Sequence, residues 1–278
     1  MKRLFIRFPG GKPKALTFSY DDGVRQDLRL LEIFNKYGLH GTFNLNSSRL
    51  RSEAFPDSEC VDADRLAEIY AGHEIAVHGV THPFLGKMTD TEALYEMFED
   101  RLALERLSGR IVRGMAYPFG SYTDATLRLA KAAGIVYSRT VDSSGNFLLP
   151  NDWLRLAPTC HHAMENVPKL CDRFLKKSPN DEVYNRDAWL FYIWGHSFEF
   201  DDGDFDYAKM GELCRTLSGK DDVWYATNLE LYEYIEAFRG LIHSADGKTV
   251  YNPFAFDLYG DYDEEVVVFP AGKTVILN

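Results

Sequence analysis

The chain has 278 residues, of which 45% are hydrophobic and 26% charged, and its formal net charge is −11. That size and balance exclude a disordered polypeptide and leave room for one large α/β domain or two small ones. The negative field disfavours nucleic acid as a partner, and no run approaches the roughly 20 apolar residues of a membrane span.

The stretch from Met1 to Pro9 starts with charge but is interrupted by Arg7 and Pro9. It lacks the apolar centre of a signal peptide, so a cytoplasmic location is expected. A first strand over 15–20 runs into Asp21-Asp22-Gly23. The helix over 27–37 carries Leu28, Leu31, Ile33 and Phe34 and stops at Gly38, a C′ position. A strand over 41–45, a helix over 62–70 and a strand over 74–77 lead to His78 and His82. The helix over 89–107 opens on Thr89-Asp90-Thr91-Glu92, a capping box. Strands over 113–117, 135–138, 188–194 and 223–226 then alternate with helices over 124–133, 167–176, 206–217 and 228–238. From about 241 the helices cease, and short strands over 250–251, 254–259, 266–269 and 274–277 are expected.

Seven strands alternating with seven helices imply parallel pairing through right-handed crossovers, and the regular count favours a β/α barrel. The expected organisation is a barrel over 1–240 with a small C-terminal β appendage over 241–278. A barrel places reactive residues just past the C-terminal ends of its strands, which is where Asp21, Asp22, His78, Tyr117 and His196 fall. Cys60, Cys160, Cys171 and Cys214 show no C-x-x-C pair and are expected as reduced thiols. Cys160 beside His161-His162 offers a second metal cluster, which the spacing supports less.

Two imidazoles and a carboxylate fill three positions around a divalent metal and leave others open for water and substrate. His78, His82 and Asp22 supply that set. Zinc fits, and iron(II) also uses two histidines and a carboxylate. Asp21 then serves as general base for a metal-activated water. Arg113, at a strand start facing the interior, is the expected partner that keeps Asp21 ionised. Tyr117-Pro118-Phe119-Gly120 reads as a rigid turn whose backbone N–H groups can serve an oxyanion. His196, after a buried apolar run, is placed as general acid, with Asp152-Trp153 as its candidate partner and an apolar wall.

At these residues the sequence resembles the polysaccharide deacetylase family, carbohydrate esterase family 4, or NodB-homology enzymes. Its T-F-D-D-G motif is matched by Thr17-Phe18-Ser19-Tyr20-Asp21-Asp22-Gly23, with Ser-Tyr inserted before the aspartates. Its H-S/T-x-x-H motif is matched in spacing by His78 to His82, with Gly79 in place of a hydroxyl residue. R-x-x-x-Y-P-F/Y-G is matched by Arg113 to Gly120, an Asp-Trp pair by Asp152-Trp153, and L-x-H by Trp194-Gly195-His196. Thr42-Phe43-Asn44 is similar to the family's second barrel strand.

The resemblance implies a distorted (β/α)7 barrel and a divalent metal, with zinc the expected ion, on Asp22, His78 and His82. It implies Asp21 as base, Arg113 as its orienting partner, His196 as acid and the Tyr117 backbone N–H as oxyanion hole. The implied reaction removes an N-acetyl, less often an O-acetyl, group from a sugar as acetate. Trp153, Trp194, Phe119 and Asp152 are the expected substrate contacts. The expected partner is an acetylated sugar or a small amide, with no nucleic acid and no membrane, and the oligomeric state stays open. Two alternatives stand beside this: an amidohydrolase acting on a cyclic imide or ureide, and a non-catalytic glycan-binding relative.

Overall fold

The computed structural model describes residues 3–182, 185–202 and 204–277. Its strands are β1 (Leu4–Arg7), β2 (Lys14–Asp21), β3 (Gly41–Leu45), β4 (Glu74–Val77), β5 (Gly114–Ala116), β6 (Tyr137–Arg139), β7 (Cys160–His161), β8 (Trp189–His196) and β9 (Val223–Tyr225). The C-terminal strands are β10 (Ile242–His243), β11 (Thr249–Tyr251), β12 (Leu258–Tyr262), β13 (Glu265–Phe269) and β14 (Thr274–Ile276). The helices are α1 (Asp27–Tyr37), α2 (Leu66–Ile69), α3 (Asp90–Ser108), α4 (Asp124–Ala132), α5 (Val167–Lys176), α6 (Glu199–Asp202), α7 (Tyr207–Leu217) and α8 (Asn228–Arg239).

Seven strands lie in the order β6-β5-β4-β3-β2-β8-β7, every pair parallel. The sheet curls into the distorted (β/α)7 barrel that the alternation predicts. Its distortion has a visible origin at β2. One edge of β2 pairs along its whole length with β8, while the other is divided between β9 at Lys14 to Leu16 and β3 at Phe18 to Asp21. The strand β7 is a pair of residues too short to read from sequence, and it adds His161 beside Trp194.

Alternation along β2 sorts its side chains. Leu16, Phe18 and Tyr20 join the larger apolar core with Leu30, Leu31 and Phe34 of α1. Thr17, Ser19 and Asp21 face a polar interior, where Thr17 Oγ1 donates to Asn228 Oδ1 at 3.0 Å and Asn44 Nδ2 donates to Ser19 Oγ at 2.9 Å. The helix ends follow the sequence signals: Gly38 closes α1 at φ 62°, and Thr89 with Glu92 forms the capping box of α3. The helix expected over 62–70 is reduced to the single turn α2, because Tyr70 leaves it to place its hydroxyl on buried Asp27 at 2.7 Å.

Two small antiparallel sheets complete the fold. One has the order β10-β11-β14, the other β1-β12-β13. The strand at the start of the chain thus belongs with residues expected as a separate C-terminal appendage, held by Arg7, whose Nη2 lies 2.6 Å from Asp261. Among the described residues no helix is long and apolar enough to cross a membrane.

Candidate active site

The C-terminal ends of β2, β4, β6 and β8 bring Asp21, Asp22, His78, Arg139 and His196 to one place. Asp21 is the last residue of β2 and is 2% exposed. Asp22 turns out of the strand at φ 80°, and Gly23 follows at φ 64°. That left-handed turn points consecutive carboxylates into the same centre. His78 follows β4 and is buried; its backbone N–H donates to Asp100 Oδ2 at 3.0 Å and to Leu45 O at 3.0 Å. His82 sits at φ 62° at the end of a loop that α3 anchors, with Thr81 N and Oγ1 each 2.8 Å from the Glu96 carboxylate. Of the five described non-glycine residues with positive φ, Asp22, His82 and Phe119 meet at this centre. Such conformations cost about 1–3 kcal/mol each and concentrate at functional sites.

Asp22, His78 and His82 place one ligand atom each within 4.8 Å of one another. His82 Nε2 lies 3.5 Å and His78 Nε2 4.0 Å from Asp22 Oδ1. His78 Nδ1 lies 2.8 Å from Ala116 O, which assigns the proton to Nδ1 and leaves the Nε2 lone pair facing the carboxylates. Burial lowers both imidazoles, His82 to about 4, so both stand neutral as ligands must. These residues fit a divalent cation. Gly79, where the family motif has a hydroxyl residue, lies at φ 77°, and a Cβ there would meet Pro83 Cδ at 3.0 Å. The loop geometry therefore calls for glycine.

Asp21 is held from several sides. Arg139 Nη2 pairs with Oδ2, Asn44 Nδ2 donates to Oδ1 at 2.8 Å, and His78 and His196 approach Oδ2 at 3.7 and 3.9 Å. Burial pushes its pKa up, but Arg139 and then the two imidazoles outweigh it and hold the carboxyl below its ordinary value. Arg113, the expected partner, is elsewhere: its Nη1 lies 3.2 Å from Glu233 in a half-exposed pair. Strand β5 begins only at Gly114, so Arg113 stays outside the barrel, whereas Arg139 ends β6 with no exposed surface. Arg139 also lies 4.3 Å from the Trp194 ring centroid and donates to Thr140 O at 3.1 Å.

His196 ends β8 with its Nε2 toward Asp21 and its Nδ1 3.2 Å from Glu199 Oε1. Burial pulls the imidazole down, but Glu199 and Asp21 outweigh this and raise it. Glu199, like Arg139, stands at this centre without having been singled out from the sequence, although its i+3 spacing from His196 was a usable signal. The expected partner, Asp152-Trp153, is not at this centre. Asp152 caps Leu154 N at 3.0 Å and pairs with Arg155, while Trp153 Nε1 donates to Glu236 of α8 at 2.8 Å.

Tyr117 is buried just past the end of β5, and its backbone N–H donates to Arg139 O at 3.0 Å. That N–H already has an acceptor within the protein, so the expected oxyanion donor is engaged here. Phe119 does reach the centre: its ring lies 4.4 Å from His82 and stacks on Phe84 at 4.0 Å, both phenylalanines largely exposed. Trp194 contacts His196 and His161 edge-on at 5.6 and 4.9 Å. Cys160 points away into the core, where burial pushes its thiol up to about 12.

A family model for polysaccharide deacetylase matches residues 9–138. The chain is 26% identical over 116 residues to the peptidoglycan-N-acetylmuramic acid deacetylase PdaC of Bacillus subtilis (strain 168), covering 42% of this chain and 23% of that protein. The match thus spans less than a quarter of the curated relative. A solved structure from Mycobacterium smegmatis, described provisionally as a polysaccharide deacetylase, superposes with a TM-score of 0.60 at 18% identity. The superposition covers 86% of this chain and 96% of that one, and it shows a shared fold. Residues 9–138, which carry Asp21, Asp22, His78 and His82, are thus the part of the chain that is similar to the polysaccharide deacetylase family.

Proposed function

We propose that this protein is a metal-dependent hydrolase that removes an N-acetyl or O-acetyl group from a carbohydrate and releases acetate. The observation that carries this is the convergence of Asp22, His78 and His82 beside an Asp21 clamped by Arg139. Asp22, His78 and His82 would hold a divalent cation, with zinc the expected ion, which would supply Lewis-acid chemistry and activate water.

The chain's own residues handle the protons. Asp21 stays ionised through Arg139 and is the base that accepts a proton from the attacking water. His196, raised and held at Nδ1 by Glu199, donates from Nε2 to the leaving nitrogen or oxygen. The Phe84–Phe119 stack beside His82 offers an apolar wall to a sugar ring. The activity named for the Bacillus relative supports an acetylated glycan as the substrate class.

The test is acetate release from N-acetylglucosamine oligomers by chelator-stripped and zinc-reloaded protein, with bound metal counted in parallel. Asp22→Ala should lose both metal and activity. Asp21→Asn should keep the metal and lose turnover by roughly 10²–10⁴-fold. Normal turnover by Asp21→Asn would overturn the assignment of the base.

A further inference from the structure

Beside the triad, the strand pair β7–β8 and the first turn of α6 bring a second group of ligating side chains together. We propose that His161, His196 and Glu199 form a second site for a divalent cation of the zinc class, sharing no ligand with Asp22, His78 and His82. His161 Nε2 lies 3.0 Å from Glu199 Oε2 and His196 Nδ1 lies 3.2 Å from Glu199 Oε1. All three ligand atoms fall within 4.8 Å of one another. Tetrahedral ligands at the zinc–nitrogen distance of 2.0–2.1 Å stand about 3.3 Å apart. His161 and His196 each reach one oxygen of the Glu199 carboxylate at about that spacing, so the carboxylate lies between the two imidazoles.

Two independent observations point the same way. His162 is fully buried, and its Nε2 faces Glu199 Oε2 from 3.3 Å without making a hydrogen bond. Its other nitrogen is engaged by the Tyr20 hydroxyl at 3.3 Å. A buried imidazole nitrogen without a hydrogen-bond partner is costly, and this one is aimed at the carboxylate of the proposed site. A cavity of about 470 Å³, lined by His161, His162, Glu199, Asp204 and Lys209, opens on the His161–Glu199 side of the group and gives a cation access from solvent. Two imidazoles and a carboxylate suit zinc and its transition-metal neighbours rather than calcium or magnesium.

The site has a consequence that rests on the proposed role of His196. That imidazole faces Asp21 through Nε2 and Glu199 through Nδ1. A cation on Nδ1 takes the nitrogen that Glu199 orients, so excess zinc inhibits while the first equivalent activates.

The experiment is a calorimetric titration of Zn²⁺ into chelator-stripped protein, with circular dichroism to confirm folding. Wild type should bind two equivalents, His82→Ala one, His161→Ala one, and the double variant none. Should His161→Ala fail to fold, Glu199→Gln replaces it with the same expected loss. Loss of an equivalent in His82→Ala but not in His161→Ala overturns this site alone. Loss in His161→Ala but not in His82→Ala overturns the triad alone. A single equivalent in wild type that His161→Ala retains also sinks the second site, as does zinc inhibition of acetate release that His161→Ala leaves unchanged.

Discussion

Replacing Arg139 by Met removes the guanidinium paired with Asp21 and leaves a side chain of similar length in the pocket. Both partners are buried, so breaking the pair falls in the range of about 3–5 kcal/mol for an orphaned interior charge. The charge component has a ceiling, because Asp21 can escape by binding a proton. At pH 7, protonating a carboxyl of reference pKa 3.9 costs about 4 kcal/mol. The sign follows. Without Arg139, burial raises the Asp21 pKa in the folded state above its unfolded value. A group raised in this way contributes fully below the unfolded pKa and loses that contribution as pH rises through the folded pKa. The Arg139→Met deficit relative to wild type should therefore be largest near neutrality and shrink toward pH 4. Loss of the Trp194 contact adds a pH-independent remainder of about 1–2 kcal/mol. Urea unfolding read as the midpoint at unchanged m gives the assay. Asp21→Asn in the same background should restore most of the deficit, and Arg113→Met should cost under about 1 kcal/mol, because its pair with Glu233 is exposed. An equal deficit at pH 4 and pH 7, or a double variant no more stable than Arg139→Met alone, would rule out an orphaned Asp21 charge as the cause.

Two further outcomes follow from buried groups around the centre. Burial lifts Asp27 to about 7 against hydrogen bonds from Ser197 and Tyr70, so its folded pKa lies above its unfolded one and stability falls as pH rises from about 4 to 7. Asp27→Asn should flatten that part of the stability–pH curve by up to roughly 4 kcal/mol, with Glu74 and Asp100 supplying the remaining slope; an unchanged slope in thermal unfolding from pH 5 to 7 counts against it. A Cβ on Gly195 would sit 2.0 Å from His162 Nδ1, so Gly195→Ala should destabilise by about 1–3 kcal/mol and shift the His162 ring resonances in NMR. Wild-type stability with unmoved resonances would show that the packing there is loose.

Much of the barrel was legible because each local signal agreed with the global one. Gly38, the Thr89 capping box and the two-residue alternation of β2 all carry a local physical cause, and the convergence of Asp22, His78 and His82 follows from strands ending on one rim. What escaped was decided by single residues of register. The strand expected over 135–138 runs one residue further, and that residue is Arg139, which beside Thr140 reads as loop surface. Arg113, matched to a motif, falls one residue before its strand and so misses the interior. Cys160, His161 and His162 are neighbours in sequence, but the β7 pleat sends the thiol to the core and His161 toward Glu199. Trp153 could not be distinguished from a pocket wall by composition, since an indole needs one acceptor in either place and here finds it on Glu236.

The pairing of β1 with β12 has a bearing on synthesis. Leu4–Arg7 leaves the ribosome roughly 250 residues before its partner strand Leu258–Tyr262, a delay on the order of 13–50 s at about 5–20 residues per second. Throughout that interval the nascent chain displays Leu4, Phe5, Ile6 and Phe8 as an unmatched edge, the kind of segment that recruits other chains. Arg3, Arg7 and Pro9 punctuate it with two charges and a residue that cannot extend a ladder. Arg7 thus sets a charge within that apolar segment and, in the folded protein, clasps Asp261 of the partner strand.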